Sequence, residues 1–464
     1  MSSIALRRLE PVALVAVAAL LGAGTALVAY MTEPYVPFAI AGSAALVALS
    51  ISRPFLVLYA GVALVPLELV SVRIGGAGLS PAEAAFALSG LGWAAARLAR
   101  GEAPFIPSPL GRPLVLLVLA IVPGIAIVDE PFDVIKVFLI WSTFLLVFEM
   151  IAAEGTVQIV KNILFLLGLS AAVVGVIAVI QSGGKPPELV GLGDTATDRA
   201  QGSFGHPNTL ATFEAVALPG TLVLGLIGPR AWRPLAIASF AIILAGLALS
   251  LSRGGLLAVA GALAMMLAWA PFRRTVIAAG VILLVLAVSG GAPAGEVQQV
   301  ELVTNRLESI QYSAGGVDPR FRVWEATPQI ILDNPIIGVG QNAFSEVALK
   351  YGLFLGSSTQ TFEHAHNIPL TIAAELGLIG LGALTWLAIA LIRTLLRAYR
   401  QGDSDERGLV LAVAAAFLAL TLQGMVDYTL RAAVIVAIVF ILAACAYVLA
   451  DAPRAAALRD TPAP

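Results

Sequence analysis

The chain has 464 residues, of which 59% are hydrophobic and 12% are charged, and its mean hydropathy is +0.94. Soluble globular proteins carry about 25% charged residues, so this composition excludes a soluble enzyme. The near balance of 27 Lys and Arg with 29 Asp and Glu excludes a nucleic-acid-binding protein, and the single cysteine, Cys445, excludes a disulfide-stapled secreted domain. We therefore expect the lipid bilayer to be the solvent of this chain.

Apolar segments follow one another along most of the sequence. A helix needs about 20 apolar residues to cross the hydrocarbon of a membrane. The pattern predicts an all-α fold, a polytopic membrane helix bundle of about 12 to 14 spans with one large extracytoplasmic loop. Short neighbours that share helix breakers, notably 35–51 with 54–72 and 233–251 with 254–271, leave re-entrant helices open as an alternative. The candidate segments are 11–31, 35–51, 54–72, 81–98, 113–128, 132–151, 157–180, 208–228, 233–251, 254–271, 274–290, 367–392, 408–426 and 432–450.

The distribution of cations predicts the orientation of the bundle. Lys and Arg favour the cytoplasmic side of short connections. If the N terminus lies inside and the chain crosses fourteen times, 17 of the 27 cations fall on the inner side. Segment 11–31 is long and is followed at once by further spans, so we interpret it as a span rather than as a cleaved secretory signal.

Only two of the outer connections are long, about 181–207 and 291–366. We therefore divide the chain into an N-terminal transmembrane bundle (1–290, about eleven spans), a large loop (291–366) and C-terminal transmembrane helices (367–464). The large loop carries eight acidic residues against four basic ones. An anion that binds there must therefore meet particular arginines.

The large loop contains one helical segment, 319–332, which we interpret as an interfacial helix with Trp324 at the depth of the lipid headgroups. Asp333-Asn334-Pro335 then predicts a turn, and Gly338-Val339-Gly340 allows a close approach of the backbone. The loop ends at Glu363-His364-Ala365-His366-Asn367, so two of the three histidines lie where the next apolar run begins.

Four stretches in this order resemble the bacterial O-antigen ligase and O-antigen polymerase family. Each stretch alone is weak, but the ordered set extends over about 180 residues of a protein with many spans. The first 180 residues resemble the family only in being apolar spans. The stretches are Arg199 with Gly202-Ser203-Phe204-Gly205-His206-Pro207-Asn208; Ser252-Arg253-Gly254-Gly255; Arg320-Phe321-Arg322-Val323-Trp324 with Asn334-Pro335-Ile336-Ile337-Gly338-Val339-Gly340; and His364-Ala365-His366-Asn367 with Glu375-Leu376-Gly377-Leu378-Ile379-Gly380.

The resemblance implies a membrane glycosyltransferase of the GT-C type that uses no metal and no other cofactor. Its donor would be a glycan linked to a polyprenyl (undecaprenyl) diphosphate, and its acceptor a glycan or a lipid A core, as in lipopolysaccharide or exopolysaccharide biosynthesis. It would lie in the bacterial cytoplasmic (inner) membrane, with the active site facing the periplasm. Carried onto matching positions, the catalytic residues would be His366, Arg253 and Arg320. The residues expected to bind substrate are Arg199, Arg322, His364, Asn367, Trp324 and Asn208.

The expected chemistry follows from the charge that develops in the reaction. Negative charge grows on the departing diphosphate as an acceptor hydroxyl attacks the anomeric carbon, and guanidinium groups stabilise that charge. A neutral imidazole near pH 7 can accept the proton of the hydroxyl, a role we assign to His366. An in-line attack inverts the anomeric configuration.

Other interpretations remain open at this point. Arg253 and Arg322 could contact lipid headgroups, and the partner choice within Arg320/Arg322 and His364/His366 is unresolved. Two histidines fall short of a tetrahedral zinc site.

A polymerase or a protein O-glycosylating transferase would share the donor site. A transporter or channel is the competing class, although transporters place polar groups in mid-span and these spans are nearly free of charge.

Overall fold

The computed structural model describes residues 35–70, 72–74, 77–182, 199–278, 319–354 and 362–460. Within these residues the chain is a helical bundle with one short hairpin, β1 (Val72–Ile74) and β2 (Ala77–Leu79), so the predicted polytopic all-α class is confirmed. The helices are α1 (Tyr35–Ser52), α2 (Pro54–Leu64), α3 (Pro81–Ala99), α4 (Gly111–Leu119), α5 (Pro131–Glu154), α6 (Val157–Ser182), α7 (Pro207–Ile227), α8 (Arg233–Leu249), α9 (Arg253–Met266), α10 (Ala270–Ala278), α11 (Pro319–Asp333), α12 (Phe344–Ala348), α13 (Ile368–Gln401), α14 (Ser404–Gly424) and α15 (Ala433–Asp460).

The number of membrane spans in the described residues is smaller than the 12 to 14 predicted for the whole chain. Six helices are long and apolar enough to cross a membrane, or up to eight if each of two bent pairs is one span. The first pair, α1 with α2, bends by 117° and joins the neighbours 35–51 and 54–72 that share breakers in the sequence. The second bend, 111°, lies between α9 and α10 rather than between 233–251 and 254–271, the other pair of neighbours that share breakers in the sequence. Segment 11–31 lies outside the described residues.

Helix α7 forms the centre of the bundle, and almost every side chain from its start to Gly225 is buried. It packs against α6, α8, α9 and α14. Small residues permit this close packing: Gly168 of α6 faces Thr221, and Gly255 of α9 faces Ala211. Because α7 is central, the residues at its N-terminal end are held on a rigid support.

The described part of the large loop has a small apolar core of its own. Val323 and Ile330 of α11 pack with Phe344 of α12, and Ala365 and Ala374 complete the cluster. The indole Nε1 of Trp324 donates a hydrogen bond of 2.9 Å to the carbonyl of Ala365. Helix α11 is therefore fastened to the start of α13. The expected headgroup position of Trp324 stays a prediction.

A break inside α13 receives the glycine-rich segment of the large loop. Gly377 has φ 63° and ψ −162°, a conformation open only to glycine, and the helix is kinked there. The backbone amides of Val339 and Gly340 donate to the carbonyls of Ala374 and Glu375, both at 2.9 Å. The freed backbone groups of the broken helix are thus satisfied by the loop.

Gly377→Ala is expected to lower the free energy of unfolding by about 1 to 3 kcal/mol, because alanine disfavours this conformation and its Cβ would overlap the backbone of Ile336. Thermal unfolding of the purified protein in detergent measures the effect. Gly382→Ala is the matched control, since Gly382 is exposed on the same helix and nothing lies within 4 Å of an added Cβ. Equal stabilities of the two variants would contradict the structural role of the break.

Three carboxyl groups are buried within spanning helices, which our view of nearly uncharged spans overlooked. Glu149 accepts a 2.9 Å hydrogen bond from the amide of Ile106, and Glu375 accepts one of 2.9 Å from Gln341 Nε2. Both acids therefore anchor loops to helices. Neither carboxylate oxygen of Glu214, on α7, has a partner within the described residues, and nothing in the structure explains its position.

Candidate functional site

Three arginines that lie far apart in the sequence line one small polar cavity, which we call the arginine cavity. Arg199 precedes α7, Arg253 begins α9, and Arg320 lies in the first turn of α11. The cavity thus brings together groups separated by more than a hundred residues. Its lining consists of Arg199, Asn208, Leu251, Ser252, Arg253, Gly254, Arg320, Gln423, Val426 and Asp427.

Asn208 connects the groups on one side of this cavity. Its Oδ1 accepts hydrogen bonds of 3.0 Å from Arg199 Nη2 and from Ser252 Oγ. Its side chain also hydrogen-bonds Asp427. Arg199 is fixed further by a 2.9 Å bond from Nε to the carbonyl of Ser250. The start of α7 therefore positions both a guanidinium group and a carboxylate.

The helix ends around the cavity add to its positive character. Ser252 caps α9 by accepting the amide of Gly255, and His206 caps α7 by accepting the amide of Asn208. Arg253 is the first residue of α9, and within the described residues its guanidinium makes no hydrogen bond or ion pair. Helix N termini carry partial positive charge and favour anions. The arrangement suits an anion with several oxygens, such as a diphosphate.

His366 lies beside the arginine cavity, in contact with a residue that lines it. The imidazole Nδ1 of His366 is 3.1 Å from Oδ1 of Asp427. The side chain of His366 is 27% exposed, whereas that of Asp427 is only 7% exposed. Burial alone would raise the pKa of Asp427, but hydrogen bonds from His366 and Asn208 hold it below its ordinary value. The carboxylate is thus charged and can fix the tautomer of His366 with the proton on Nδ1, which leaves Nε2 free to accept a proton.

The neighbouring His364 is in a different environment. It is buried, its Nδ1 accepts the backbone N–H of His366, and its ring packs 5.4 Å from that of Tyr428. Burial, assisted by the nearby His366, lowers the pKa of His364 to about 3. His364 is therefore uncharged near neutral pH and supports the backbone of its neighbour.

The buried neutral state of His364 predicts a pH dependence of stability. A histidine whose pKa is lowered from about 6.5 to about 3 in the folded state binds a proton only in the unfolded chain between these values. The contribution of the uncharged His364 to the free energy of unfolding is therefore complete above about pH 6.5 and is lost as the pH falls towards about 3. Between pH 7.5 and pH 5 the stability of the wild type relative to His364→Gln should decrease by about 2 kcal/mol. Thermal unfolding of the pair measures this, and a difference independent of pH would contradict it.

Backbone strain marks two positions of the site. Leu251, which lines the arginine cavity, has φ 48°, and His366 has φ 50°. Residues other than glycine rarely adopt the left-handed region, and such strain persists only where surrounding contacts enforce it. Here each strained residue is followed by a residue that caps a helix, Ser252 or Asn367.

Four predicted substrate-binding residues lie outside the lining of the arginine cavity: His364, described above, and the following three. Arg322 is exposed on α11, two residues from Arg320. The amide of Asn367 is engaged: Oδ1 caps α13 through the amide of Leu370, and Nδ2 donates to the carbonyl of Met425. Trp324 donates to Ala365, as described above. Contact of these three with substrate stays a prediction.

His364, His366 and Asp427 can also be considered as metal ligands, since one potential ligand atom of each lies within 4.8 Å of the others. The donor set fits a divalent ion only in part. The Nδ1 atoms of both histidines are already hydrogen-bonded, and Asp427 Oδ1 also accepts the amide of Tyr428.

Sequence reasoning missed Asp427 and the buried Gln423. Gln423 lies in the last turn of α14, and Asp427 lies in the connection to α15, which is too short to attract attention. The available signal was an acidic residue next to the end of an apolar segment, where ionisable residues are costly and tend to be functional.

The fold and the site together define a polytopic membrane protein with a cationic cavity at one end of its bundle and a His-Asp pair beside it. Residues 238–385, which contain Arg253, Arg320 and His366, match the family model described as O-antigen ligase. The resemblance noted in the sequence is confirmed. Arg199 and Asp427 lie outside the matched range. A comparison with curated proteins found no match.

Proposed function

We propose that this protein is a membrane glycosyltransferase that moves a glycan from a polyprenyl-diphosphate carrier to an acceptor hydroxyl, with inversion and without a metal. The observation that carries the proposal is the convergence of Arg199, Arg253 and Arg320 on one cavity, with the His366–Asp427 pair beside it. The site would face the periplasm across the bacterial inner membrane. The match of residues 238–385 to the O-antigen ligase model supports an enzyme of lipid-linked glycan chemistry rather than a transporter.

The arginine cavity would bind the diphosphate of the donor. Guanidinium groups grip phosphate oxygens in pairs, and their interaction strengthens as the diphosphate departs with growing negative charge. Arg253 is available for this role because its guanidinium makes no hydrogen bond or ion pair with a described protein group. The N-terminal ends of α7 and α9 would add two partial positive charges.

His366 would act as general base. With Nδ1 donating to the charged Asp427, Nε2 can accept the proton of the attacking hydroxyl, and the carboxylate stabilises the imidazolium that forms. The bond between the anomeric carbon and the diphosphate oxygen breaks as the new glycosidic bond forms. Since attack and departure occur on opposite faces, the product has the inverted configuration.

An apolar cavity supports a donor with a long hydrocarbon chain. It encloses about 820 Å³ and follows α13 from Ile368 to Tyr399 and α14 from Val410 to Thr421, ending at Gly424 and Met425. Met425 lies two residues before Asp427. A polyprenyl chain in this cavity would place its diphosphate near the arginines.

One reconstitution experiment tests the proposal. Purified protein receives a polyprenyl-diphosphate oligosaccharide and envelope glycolipids of the producing cells. We expect release of polyprenyl diphosphate that depends on the acceptor, an inverted linkage in the product, and full activity in the presence of a chelator. Loss of activity restored by a divalent ion would contradict the metal-free mechanism. The acceptor found in the product distinguishes a ligase from a polymerase, which would yield a longer glycan on the same carrier.

A further inference from the structure

A second polar cavity lies at the same end of the bundle as the arginine cavity, and we call it the acceptor cavity. It encloses about 490 Å³ and shares no lining residue with the arginine cavity. Residues close in sequence nevertheless line the two: the consecutive Asn208 and Thr209 on α7, and Asp427 and Leu430, three residues apart, before α15. The two cavities are therefore neighbours, separated by the start of α7 and the segment before α15.

The segment that carries His366 is connected to the acceptor cavity by direct contacts. Arg431, which lines the cavity, forms a 2.8 Å ion pair with Glu363, next to His364. The ring of His364 packs on Tyr428, whose hydroxyl is 3.4 Å from Nε2 of the cavity residue Gln341. His366 itself contacts Asp427 of the arginine cavity. The segment 363–366 therefore contacts residues of both cavities.

The lining of the acceptor cavity differs in charge from that of the arginine cavity. It combines carboxyl groups, amides and aromatic rings with only two cations, and such a surface disfavours a diphosphate. Carboxyl and amide groups offer several hydrogen-bond acceptors and donors to hydroxyl groups, and aromatic rings offer apolar faces. The charged, amide and aromatic lining residues are Glu68, Glu83, Asp133, Lys136, Gln341, Asn342, Arg431, Trp141 and Phe204.

Two buried polar atoms of the lining residues lack a partner within the described residues. They are Oε2 of Glu68 and Oε1 of Gln341, and Gln341 is only 3% exposed. An unsatisfied buried acceptor is costly, so a hydroxyl-bearing ligand that supplied the missing bonds would gain affinity. Burial and the charge of Glu83 raise the pKa of Glu68 to about 8, which allows its carboxyl group to donate as well as accept.

The two cavities differ in size, and the difference indicates that they bind different parts of the substrates. The arginine cavity encloses only about 60 Å³, whereas the acceptor cavity falls in the range of about 300 to 1,000 Å³ usual for ligand sites. The sugar units of the reaction therefore need room outside the arginine cavity.

We propose that the acceptor cavity binds the hydroxyl-rich end of a neutral acceptor glycan and presents one hydroxyl to His366. This assignment rests on the proposed function, because it supplies the second substrate of the same reaction. Glu68 and Gln341 hold sugar hydroxyls, and Trp141 and Phe204 contact the faces of the rings.

Initial rates test this assignment at varied acceptor and saturating donor. The donor is a polyprenyl-diphosphate oligosaccharide, and the acceptor is the deacylated glycolipid of the cell envelope. Glu68→Met should raise the acceptor KM by about 10-fold and leave the Kd for polyprenyl diphosphate unchanged. Leu69→Trp adds bulk at a residue that is 38% exposed, so it tests the cavity without removing a buried group. Glu325→Gln, exposed on α11, is the matched control.

Each outcome decides the assignment. An unchanged acceptor KM in both variants would overturn the assignment. A raised Kd for the donor with normal acceptor kinetics would also overturn it, because that result would indicate that the donor glycan binds in this cavity. Failure of the wild type to transfer glycan to any acceptor would instead refute the proposed function, and the acceptor assignment with it.

Discussion

Replacement of His366 by alanine is expected to lower the kcat of glycan transfer by about 10²- to 10⁴-fold, the usual contribution of general base catalysis. The hydroxyl nucleophile would lose the group that accepts its proton. The Kd for polyprenyl diphosphate should not change, because the arginine cavity that binds it lacks His366 in its lining. Release of polyprenyl diphosphate at saturating donor and acceptor measures the rate.

Two further variants sharpen the assignment of the base. Asp427→Asn preserves size but removes the charge that fixes the tautomer, so kcat should fall while donor binding persists. His364→Gln retains an acceptor for the backbone N–H of His366 and should transfer glycan at a nearly normal rate at pH 7.5. If His364→Gln were inactive and His366→Ala active, the base would be the buried histidine.

The second large effect is expected at Arg253. Arg253→Ala should reduce kcat/KM by about 10²- to 10³-fold, as does the loss of one preorganised donor that stabilises developing negative charge. Arg253→Lys should recover only part of the activity, because an ammonium group does not grip two oxygens at once. Single-turnover rates at saturating enzyme separate this effect from weakened donor binding.

Arg322→Ala provides the matched control for the arginines. Arg322 lies two residues from Arg320 but is exposed and outside the lining of the cavity, so its removal should leave kcat/KM near the wild-type value. A large loss at Arg322 together with normal activity of Arg253→Ala would show that the diphosphate binds elsewhere.

Much of the candidate site could be predicted because its residues lie in short motifs. Arg199, Arg253 and Arg320 each occur in a stretch typical of the family, and the structure brings the three together. The choice between Arg320 and Arg322 needed the structure: residues two apart on a helix do not share a face, but this spacing does not say which of the two lines the cavity. Their roles in catalysis stay predictions that the variants above test.

Other features depended on contacts that no local pattern reveals. Asp427 lies in a short connection, and its importance follows from its contact with His366, 61 residues away. The break at Gly377 is invisible in hydropathy, because glycine is common in membrane helices for simple packing. The bends of 117° and 111° between apolar helices are equally invisible in the sequence, since a bend leaves composition unchanged.

The order in which the chain is synthesised gives the position of Asp427 a biological consequence. Arg199, Arg253, Arg320 and His366 all emerge from the ribosome before Asp427, which reaches its partners only when α14 has been made. A nascent or truncated chain therefore lacks a complete His-Asp pair. The proposed transferase would become competent only after α14 has been synthesised, so shorter nascent chains would not act on lipid-linked sugars.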